Sequence, residues 1–326
     1  MAVRINPAKP LLWRSPTDLQ IGVEDALLLE GVTPEQEKLL ALLERGIASD
    51  ATRPEDLSLI ERISPALLQS SNIDKPRLGG DFIRGAFAEI IRASYATDRD
   101  GIAVLEQRAK VSILIDSLAT GGLLIALGLA AAGVGRILCE DTSLVGEHDL
   151  GPLGYPSLSK SARRIDAANK LLRERPGSTA ILDYAAATPA KRRHLLKVLI
   201  GQHTVHPSRY QKLVASKTPH LLVNFESEKV SISPKICSSP CLGCLELHKI
   251  DADEAWPAIA AQLFGRIDYL QDSRSGLFAA AIAVGEILRA IDSPNQETEF
   301  FGARLEIASG RVENWSWSRH ELCNCG

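Results

Sequence analysis

Four short apolar segments, separated by stretches of helical length, constrain the fold of this chain most strongly. They span residues 111–115, 136–139, 180–182 and 220–223. Strands that alternate with helices form parallel sheets, because each helix carries the chain back to the end of the sheet where the next strand begins. Such crossovers are right-handed. The pattern therefore predicts an α/β domain with a mostly parallel sheet.

The first 75 residues follow a different plan. Two short extended segments, 11–13 and 19–21, flank a turn that contains proline and aspartate and predict a hairpin. Thr33, Pro34 and Gln36 form a capping-box pattern at the start of an amphipathic helix. A polar stretch around residue 75 then has no apolar period. We predict a small module over 1–75 and a larger domain over 76–326; a helical adaptor without a ligand would show the same module pattern.

Charge and hydropathy exclude two classes of partner. The chain has 37 Lys and Arg against 40 Asp and Glu, too little positive charge to hold a nucleic acid or an anionic membrane surface. The longest apolar stretch, 123–134, is shorter than the roughly 20 residues that span a bilayer. The first residues lack the apolar region of a signal peptide. We expect a cytoplasmic protein with no nucleic-acid or membrane partner.

Five of the six cysteines lie beyond residue 236, and four of them form two close pairs. Cys241 and Cys244 make one pair, and Cys323 and Cys325 make the other. In a reducing compartment, such pairs are more typical of a metal site than of disulfides. Four thiolates suit Zn²⁺ in a closed, structural site. The alternatives are four unrelated thiols, or the replacement of one ligand by Cys237 or a neighbouring histidine.

Residues 111–141 have the plan of a nucleotide-binding βαβ unit. Asp141 stands where a carboxylate would bind a ribose hydroxyl, and Gly122 lies at the start of the intervening helix. The turn, SLATGG at 117–122, has too few glycines for its amides to approach a phosphate. Asp116 adds a like charge. We predict a vestigial nucleotide site at Asp141 and Gly122 that does not bind ATP, and we expect Gly121, Gly122 and Gly128 to allow close packing of the helix on the sheet.

The segment LAAAGVGRI at 129–137, followed by Asp141 and Val145, resembles the ThiF or ubiquitin-activating-enzyme-like superfamily, which adenylates protein or peptide carboxylates. The three loop glycines of that family fall on Ser117, Ala119 and Gly122, so only the last is kept. The family's ribose-binding acid falls on Asp141. Its Asn-Leu-x-Arg stretch falls on DLGP at 149–152, which lacks the asparagine and the arginine. These departures imply a degenerate Rossmann-like scaffold without catalytic residues.

Four further motifs narrow the resemblance: GPLGY at 151–155, PCLGCLEL at 240–247, DEAWP at 253–257 and HELCNC at 320–325. They are similar to the leader-peptide-binding, cyclodehydratase-partner proteins of thiazole/oxazole-modified peptide biosynthesis. The resemblance implies a winged-helix-like peptide-binding module, a degenerate ThiF-type domain with a zinc-bound C-terminal tail, and a homodimer. It also implies a separate YcaO-type subunit that carries out the ATP-dependent cyclisation.

The leading hypothesis is a non-catalytic subunit that presents a precursor leader peptide to a YcaO-type cyclodehydratase. The leader would add as a strand to an edge of the small sheet, with Leu19, Ile21 and Leu57 as candidate contacts. One alternative is an active adenylyltransferase that relies on Asp141 and on Lys160 or Arg163 as a phosphate contact. The other is an orphan interaction scaffold in an unrelated complex.

Overall fold

The structure, a computed structural model, describes residues 2–48, 53–70, 78–174, 177, 179–266, 268–294 and 302–325. The chain divides into two compact units, Met1–Ala109 and Lys110–Gly326. The predicted domain boundary near residue 75 lies within 71–77, outside the described residues, and stays a prediction.

The first unit holds two small antiparallel sheets and five helices among its described residues. One sheet has the order β2 (Leu11–Trp13), β3 (Leu19–Ile21), β4 (Leu27–Leu29), and the other has the order β5 (Ile47–Ala48), β1 (Ala2–Ile5), β6 (Leu67–Ser70). The helices are α1 (Pro34–Arg45), α2 (Leu57–Ile63), α3 (Gly80–Gly85), α4 (Phe87–Thr97) and α5 (Gly101–Arg108).

The predicted hairpin and first helix of this unit are confirmed. β2 pairs with β3, and Leu12 lies opposite Gln20. Thr33 Oγ1 accepts the N–H of Gln36 at 3.3 Å, while Gln36 Oε1 accepts the N–H of Thr33 at 3.0 Å. This reciprocal box satisfies two donors that the start of a helix otherwise leaves unpaired. The apolar face of α1 then packs with β3 in a core that includes Leu19, Ile21, Leu39, Leu40 and Leu43.

The second unit is built on an eight-stranded sheet with the order β14-β13-β12-β11-β10-β7-β8-β9. Its parallel strands are β7 (Ser112–Ile115), β8 (Arg136–Cys139), β9 (Ala180–Asp183), β10 (Leu196–Gln202) and β11 (His220–Phe225); its antiparallel strands are β12 (Lys229–Ile232), β13 (Gly302–Glu306) and β14 (Val312–Trp315). The helices are α6 (Thr120–Ala131), α7 (Arg164–Arg173), α8 (Gln211–Ala215), α9 (Leu242–Ala252), α10 (Trp256–Leu263) and α11 (Ser273–Asp292). The predicted α/β class with a mostly parallel sheet is confirmed.

Two helices cover the centre of this sheet. α6 is buried along most of its length and packs with α11 over apolar residues of the parallel strands. A Cβ at Gly128 would lie 2.9 Å from Cγ2 of Val284 on α11, so glycine lets the two helices approach closely. The close approach at Gly128 is thus between two helices and not between a helix and the sheet, as the sequence predicted. Within the described part of the chain, no helix combines the length and hydropathy needed to cross a bilayer.

Candidate functional site

A cavity of about 730 Å³ opens at the carboxyl ends of β7, β8 and β10. The strand order reverses here, because the chain proceeds from β7 to β8 and β9 on one side and then returns to β10 and β11 on the other. Open α/β sheets bind their ligands at such reversal points. Residues 263–266 and 268–272, ahead of α11, also line the cavity.

Asp141 lines this cavity, but the protein already engages both of its carboxylate oxygens. Oδ2 accepts the N–H of Leu118 at 2.7 Å and lies 3.2 Å from Nη1 of Arg164, while Oδ1 accepts the N–H of Ser143 at 2.8 Å. Burial alone would raise the pKa of Asp141, yet these hydrogen bonds and the arginine hold that pKa below its ordinary value. The ionised carboxylate thus fixes the turn after β7, in the place where a ribose hydroxyl would bind.

The turn over residues 117–122 offers its amides to side chains of the protein itself. The N–H of Leu118 is bound by Asp141, that of Ala119 by Ser117 Oγ at 3.3 Å, and that of Gly121 by Gln271 Oε1 at 2.7 Å. Amides at a helix N-terminus are the groups that bind phosphate in nucleotide sites. Here three side-chain oxygens accept these hydrogen bonds in place of a phosphate.

Gly122 serves the packing of the turn. A Cβ at this position would lie 1.8 Å from the carbonyl oxygen of Ser117, so only glycine lets the turn close on α6. The cavity lining does not include Gly122 among the described residues. The geometry accounts for this glycine without a nucleotide.

The charge of the cavity is unfavourable for a polyphosphate. Its described lining includes six carboxylates and three arginines: Asp116, Glu140, Asp141, Asp149, Asp268 and Asp272, with Arg164, Arg209 and Arg266. Each of these arginines already pairs with a carboxylate: Arg164 with Asp149 at 2.9 Å, Arg209 with Asp116 and Arg266 with Asp268 at 2.8 Å. A triphosphate placed here would have to displace these partners or meet them as like charges.

Asp116 follows β7 directly, and its side chain is largely buried. Burial raises the pKa of Asp116, against the opposing effects of Arg209 and of the N–H of Ile200, which donates at 2.9 Å. Arg209 also donates to the carbonyl oxygen of Ile200 at 2.8 Å. This ion pair therefore joins the end of β7 to the end of β10.

Sequence reasoning did not identify the network that holds the turn from the other side. Arg164 donates to Asp149 from Nη2 at 2.9 Å and from Nε at 3.1 Å, and both side chains are buried. The hydroxyl of Tyr155 donates to the carbonyl oxygen of Leu118 at 2.9 Å. Burial raises the pKa of Tyr155, which keeps it a donor. The GPLGY motif at 151–155 thus helps to position the turn through Tyr155. This motif was the sequence signal that could have indicated the network.

The two cations considered as phosphate contacts lie outside the cavity lining. Lys160 Nζ pairs with Glu147 at 2.6 Å, and Arg163 Nη2 pairs with Asp183 at 2.6 Å. Both side chains are largely exposed. Their positions give the adenylyltransferase alternative no support.

The four predicted metal ligands come together in a second site. Sγ of Cys241 lies 3.6 Å from Sγ of Cys323 and 4.0 Å from that of Cys244, which lies 3.3 Å from Sγ of Cys325. All four sulfurs lie within 4.8 Å of one another. A tetrahedral zinc with Zn–S bonds of roughly 2.3 Å separates its sulfurs by about 3.8 Å. The predicted clustering is confirmed, and the donor set fits a metal such as zinc.

The start of α9 and an apolar group of the second unit pack against this cluster. Cys241 caps α9 and Cys244 lies in its first turn, while Trp317 Nε1 donates to the carbonyl oxygen of Cys241 at 2.8 Å. The cysteines pack with an apolar group that includes Leu199, Val205, Tyr210 and Leu222. The other two cysteines are separate: Cys237 is exposed, and Cys139 is buried in β8 with its pKa raised by burial to about 12.

The predicted peptide contacts divide between the core and the surface of the first unit. Leu19 and Ile21 are 2% and 1% exposed, so their side chains are not available to a ligand in this structure, whereas Leu57 is 56% exposed. The opposite face of the same sheet presents Leu12 and Leu28, on either side of Gln20. These leucines are 39% and 52% exposed, which makes them the better candidates for a contact.

Comparison with known proteins gives a result at the level of the fold. No family model matches the chain, and no curated protein matches it. The structure of E. coli MccB with MccA superposes with a TM-score of 0.67 at 12% sequence identity and covers 100% of both chains. The chain has the MccB fold. E. coli MccB with ATP gives a TM-score of 0.63 at 12% identity, again over 100% of both chains. PaaA gives 0.61 at 15% identity over 79% of this chain and 89% of its own.

Proposed function

We propose that this chain is a non-catalytic subunit that binds a precursor leader peptide and presents it to a YcaO-type cyclodehydratase. The observation that carries the proposal is the turn after β7, whose amides at Leu118, Ala119 and Gly121 are bound by side chains. A chain with the MccB fold but with this arrangement is suited to hold a partner rather than to activate one with ATP. Homodimerisation stays a prediction.

The MccB structures support the peptide part of this proposal. MccB is described as a microcin C7 biosynthetic enzyme in complex with N-formylated MccA, and the match covers 100% of this chain. The likeness therefore includes the first unit together with the second. By analogy, we propose that the first unit of this chain binds the leader.

Strand addition to the β2-β3-β4 sheet is the proposed mode of binding. β2 and β4 are the edge strands of this sheet in the described part of the unit. A peptide paired with an edge would gain backbone hydrogen bonds, while side chains beside the edge would select its sequence. Leu28 on β4 and Leu12 on β2 offer apolar contacts there, and Leu57 on α2 is a further exposed leucine.

Leu28→Asp should weaken leader binding without unfolding the unit, because Leu28 is half exposed. A charge in place of an apolar contact at the proposed edge should lower the affinity about tenfold or more. Fluorescence anisotropy with a labelled leader encoded at the same locus measures this change. Leu158→Asp, at a leucine 92% exposed in the second unit, is the matched control and should bind as the unaltered chain does. If the unaltered chain binds no leader at tens of micromolar, the proposal is wrong.

The second candidate function is an active adenylyltransferase, which is favoured by the likeness to MccB with ATP. Our proposal predicts that saturating Mg-ATP neither shifts the melting temperature nor supports pyrophosphate exchange, because Asp141 and the loop amides are already engaged. E. coli MccB is the positive control for both assays. Saturable stabilisation by Mg-ATP would decide in favour of the second candidate.

The genes beside this one test the partner. A YcaO-type gene and a short precursor gene at the same locus would support the proposed complex. Their absence would favour an orphan interaction scaffold that uses the same fold.

We also propose that the four-cysteine cluster holds a structural Zn²⁺. The sulfur–sulfur distances support this assignment, and so do the burial of three of the four thiols and the apolar shell around them. A closed tetrahedral thiolate site has no open position for a substrate. The metal would fasten the C-terminal tail to α9.

A further inference from the structure

The face of α9 that carries two of the metal ligands continues past them. Cys241 and Cys244 are followed by His248 and Asp251, with spacings of three, four and three residues. Residues at such spacings lie on one side of a helix. The C-terminal tail lies along this side, with Ser318 and His320 ahead of its own two cysteines.

A hydrogen-bonded group joins α9 to the tail beside the cysteines, and we name His248, Asp251 and His320 the tail clasp. Nε2 of His320 lies 2.8 Å from Oδ2 of Asp251, and Nε2 of His248 lies 2.9 Å from the carbonyl oxygen of Ser318. The two imidazole rings meet edge to face, with their centroids 4.9 Å apart. His320 is 7% exposed. The tail is therefore attached to the helix at a second place.

The hydrogen bonds of the tail clasp argue against a metal ion there. Nδ1 of His320 accepts the N–H of Leu322 at 3.1 Å, which places the ring proton on Nε2, where it is donated to Asp251. A metal bound at Nε2 would need that position free of its proton. Two light-atom ligands of one tetrahedral zinc also lie about 3.3 Å apart, whereas this pair lies at 2.8 Å.

His320 also shapes the turn that presents the next metal ligand. Its carbonyl oxygen accepts the N–H of Cys323 at 3.0 Å, while its ring accepts the N–H of Leu322. A tail already ordered by these contacts loses less conformational entropy when its thiolates bind the metal. On the basis of the proposed zinc site, we infer that Asp251 and His320 are positioning residues that hold Cys323 and Cys325 ready for the metal and so slow its release.

Zinc release from the full-length, zinc-loaded chain into a chromogenic chelator tests this inference. Asp251→Ala removes the acceptor for His320 and should speed release about tenfold, the lower end of the effect of outer-shell partners on metal affinity. Asp251→Asn keeps an acceptor oxygen and should release zinc at nearly the unaltered rate. Glu321→Ala, at an exposed neighbour in the same tail, is the matched control.

Hydrogen exchange in the metal-free chain gives a second readout. The amides of Leu322 and Cys323 should be protected when the tail clasp is intact and should exchange faster in Asp251→Ala. If Asp251→Ala does not fold, His248→Ala tests the other contact of the tail clasp and should also speed zinc release. The inference is overturned if zinc release is unchanged in Asp251→Ala, or if Asp251→Asn is as fast as Asp251→Ala. A second zinc equivalent that binds the unaltered chain and is lost in Asp251→Ala would also overturn it, in favour of a metal site.

Discussion

Replacing Cys323 with serine should remove most of the bound zinc and free the C-terminal tail. Cys244 and Cys323 are 79 residues apart in sequence, so the metal closes a long loop of the second unit. A covalent cross-link around such a loop contributes roughly 4 kcal/mol in the chain-entropy model, and we expect a loss of that order. Elemental analysis should fall from about one zinc per chain to well below it, and calorimetry should show a lower melting temperature.

Cys237→Ser is the matched control for this variant. Cys237 is exposed and lies outside the cluster, although it is only four residues from Cys241. Its replacement should leave both the zinc content and the melting temperature unchanged. Equal loss of zinc from the two variants would contradict the ligand assignment, and metal-free protein from the unaltered chain would remove the zinc proposal.

Four of the five parallel strands could be predicted because they carry local signals, and the omitted one, β10, shows where such signals end. β10 contains Lys197 near its start. Lys197 is 7% exposed because its Nζ pairs with Glu140 at 2.6 Å. Glu140 is 57 residues earlier in sequence, so no local pattern could show that this lysine is buried.

The candidate sites show the same contrast between local sequence signals and long-range contacts. The four cysteines were predictable because each pair is a local chelating unit with its own spacing. The occupied loop amides were not, because Gln271 reaches Gly121 from 150 residues away. Alternation in β3 indicates two faces but not which one is inside, so Leu19 and Ile21 were proposed as contacts although they form the core. In both cases, contacts between residues far apart in sequence decide what the local sequence pattern does not.

Arg164→Ala should destabilise the second unit strongly, because it leaves Asp141 and Asp149 as buried carboxylates without their cation. Removing one partner of a buried ion pair costs about 3–5 kcal/mol. With roughly 2–4 °C lost per kcal/mol in a unit of this size, the melting temperature should fall on the order of 10 °C. Denaturant unfolding and calorimetry at neutral pH measure the two quantities. The loss should be large because the same arginine serves two acids that fix the turn.

Arg163→Ala is the control that distinguishes the loss of this buried ion pair from a general effect on the start of α7. Arg163 pairs with Asp183 but is 43% exposed, so Arg163→Ala should change the free energy of unfolding by no more than about 1 kcal/mol.

The pH dependence of stability also tests the role of Arg164. The folded state holds the pKa of Asp141 below its ordinary value, so its contribution to stability is present above about pH 4 and is lost at lower pH. The loss in free energy of unfolding caused by Arg164→Ala should therefore become smaller as the pH falls below that value, since a protonated carboxyl needs no cation. An equal loss in free energy of unfolding for Arg164→Ala and Arg163→Ala, or a loss that does not depend on pH, would contradict the assigned role of Arg164.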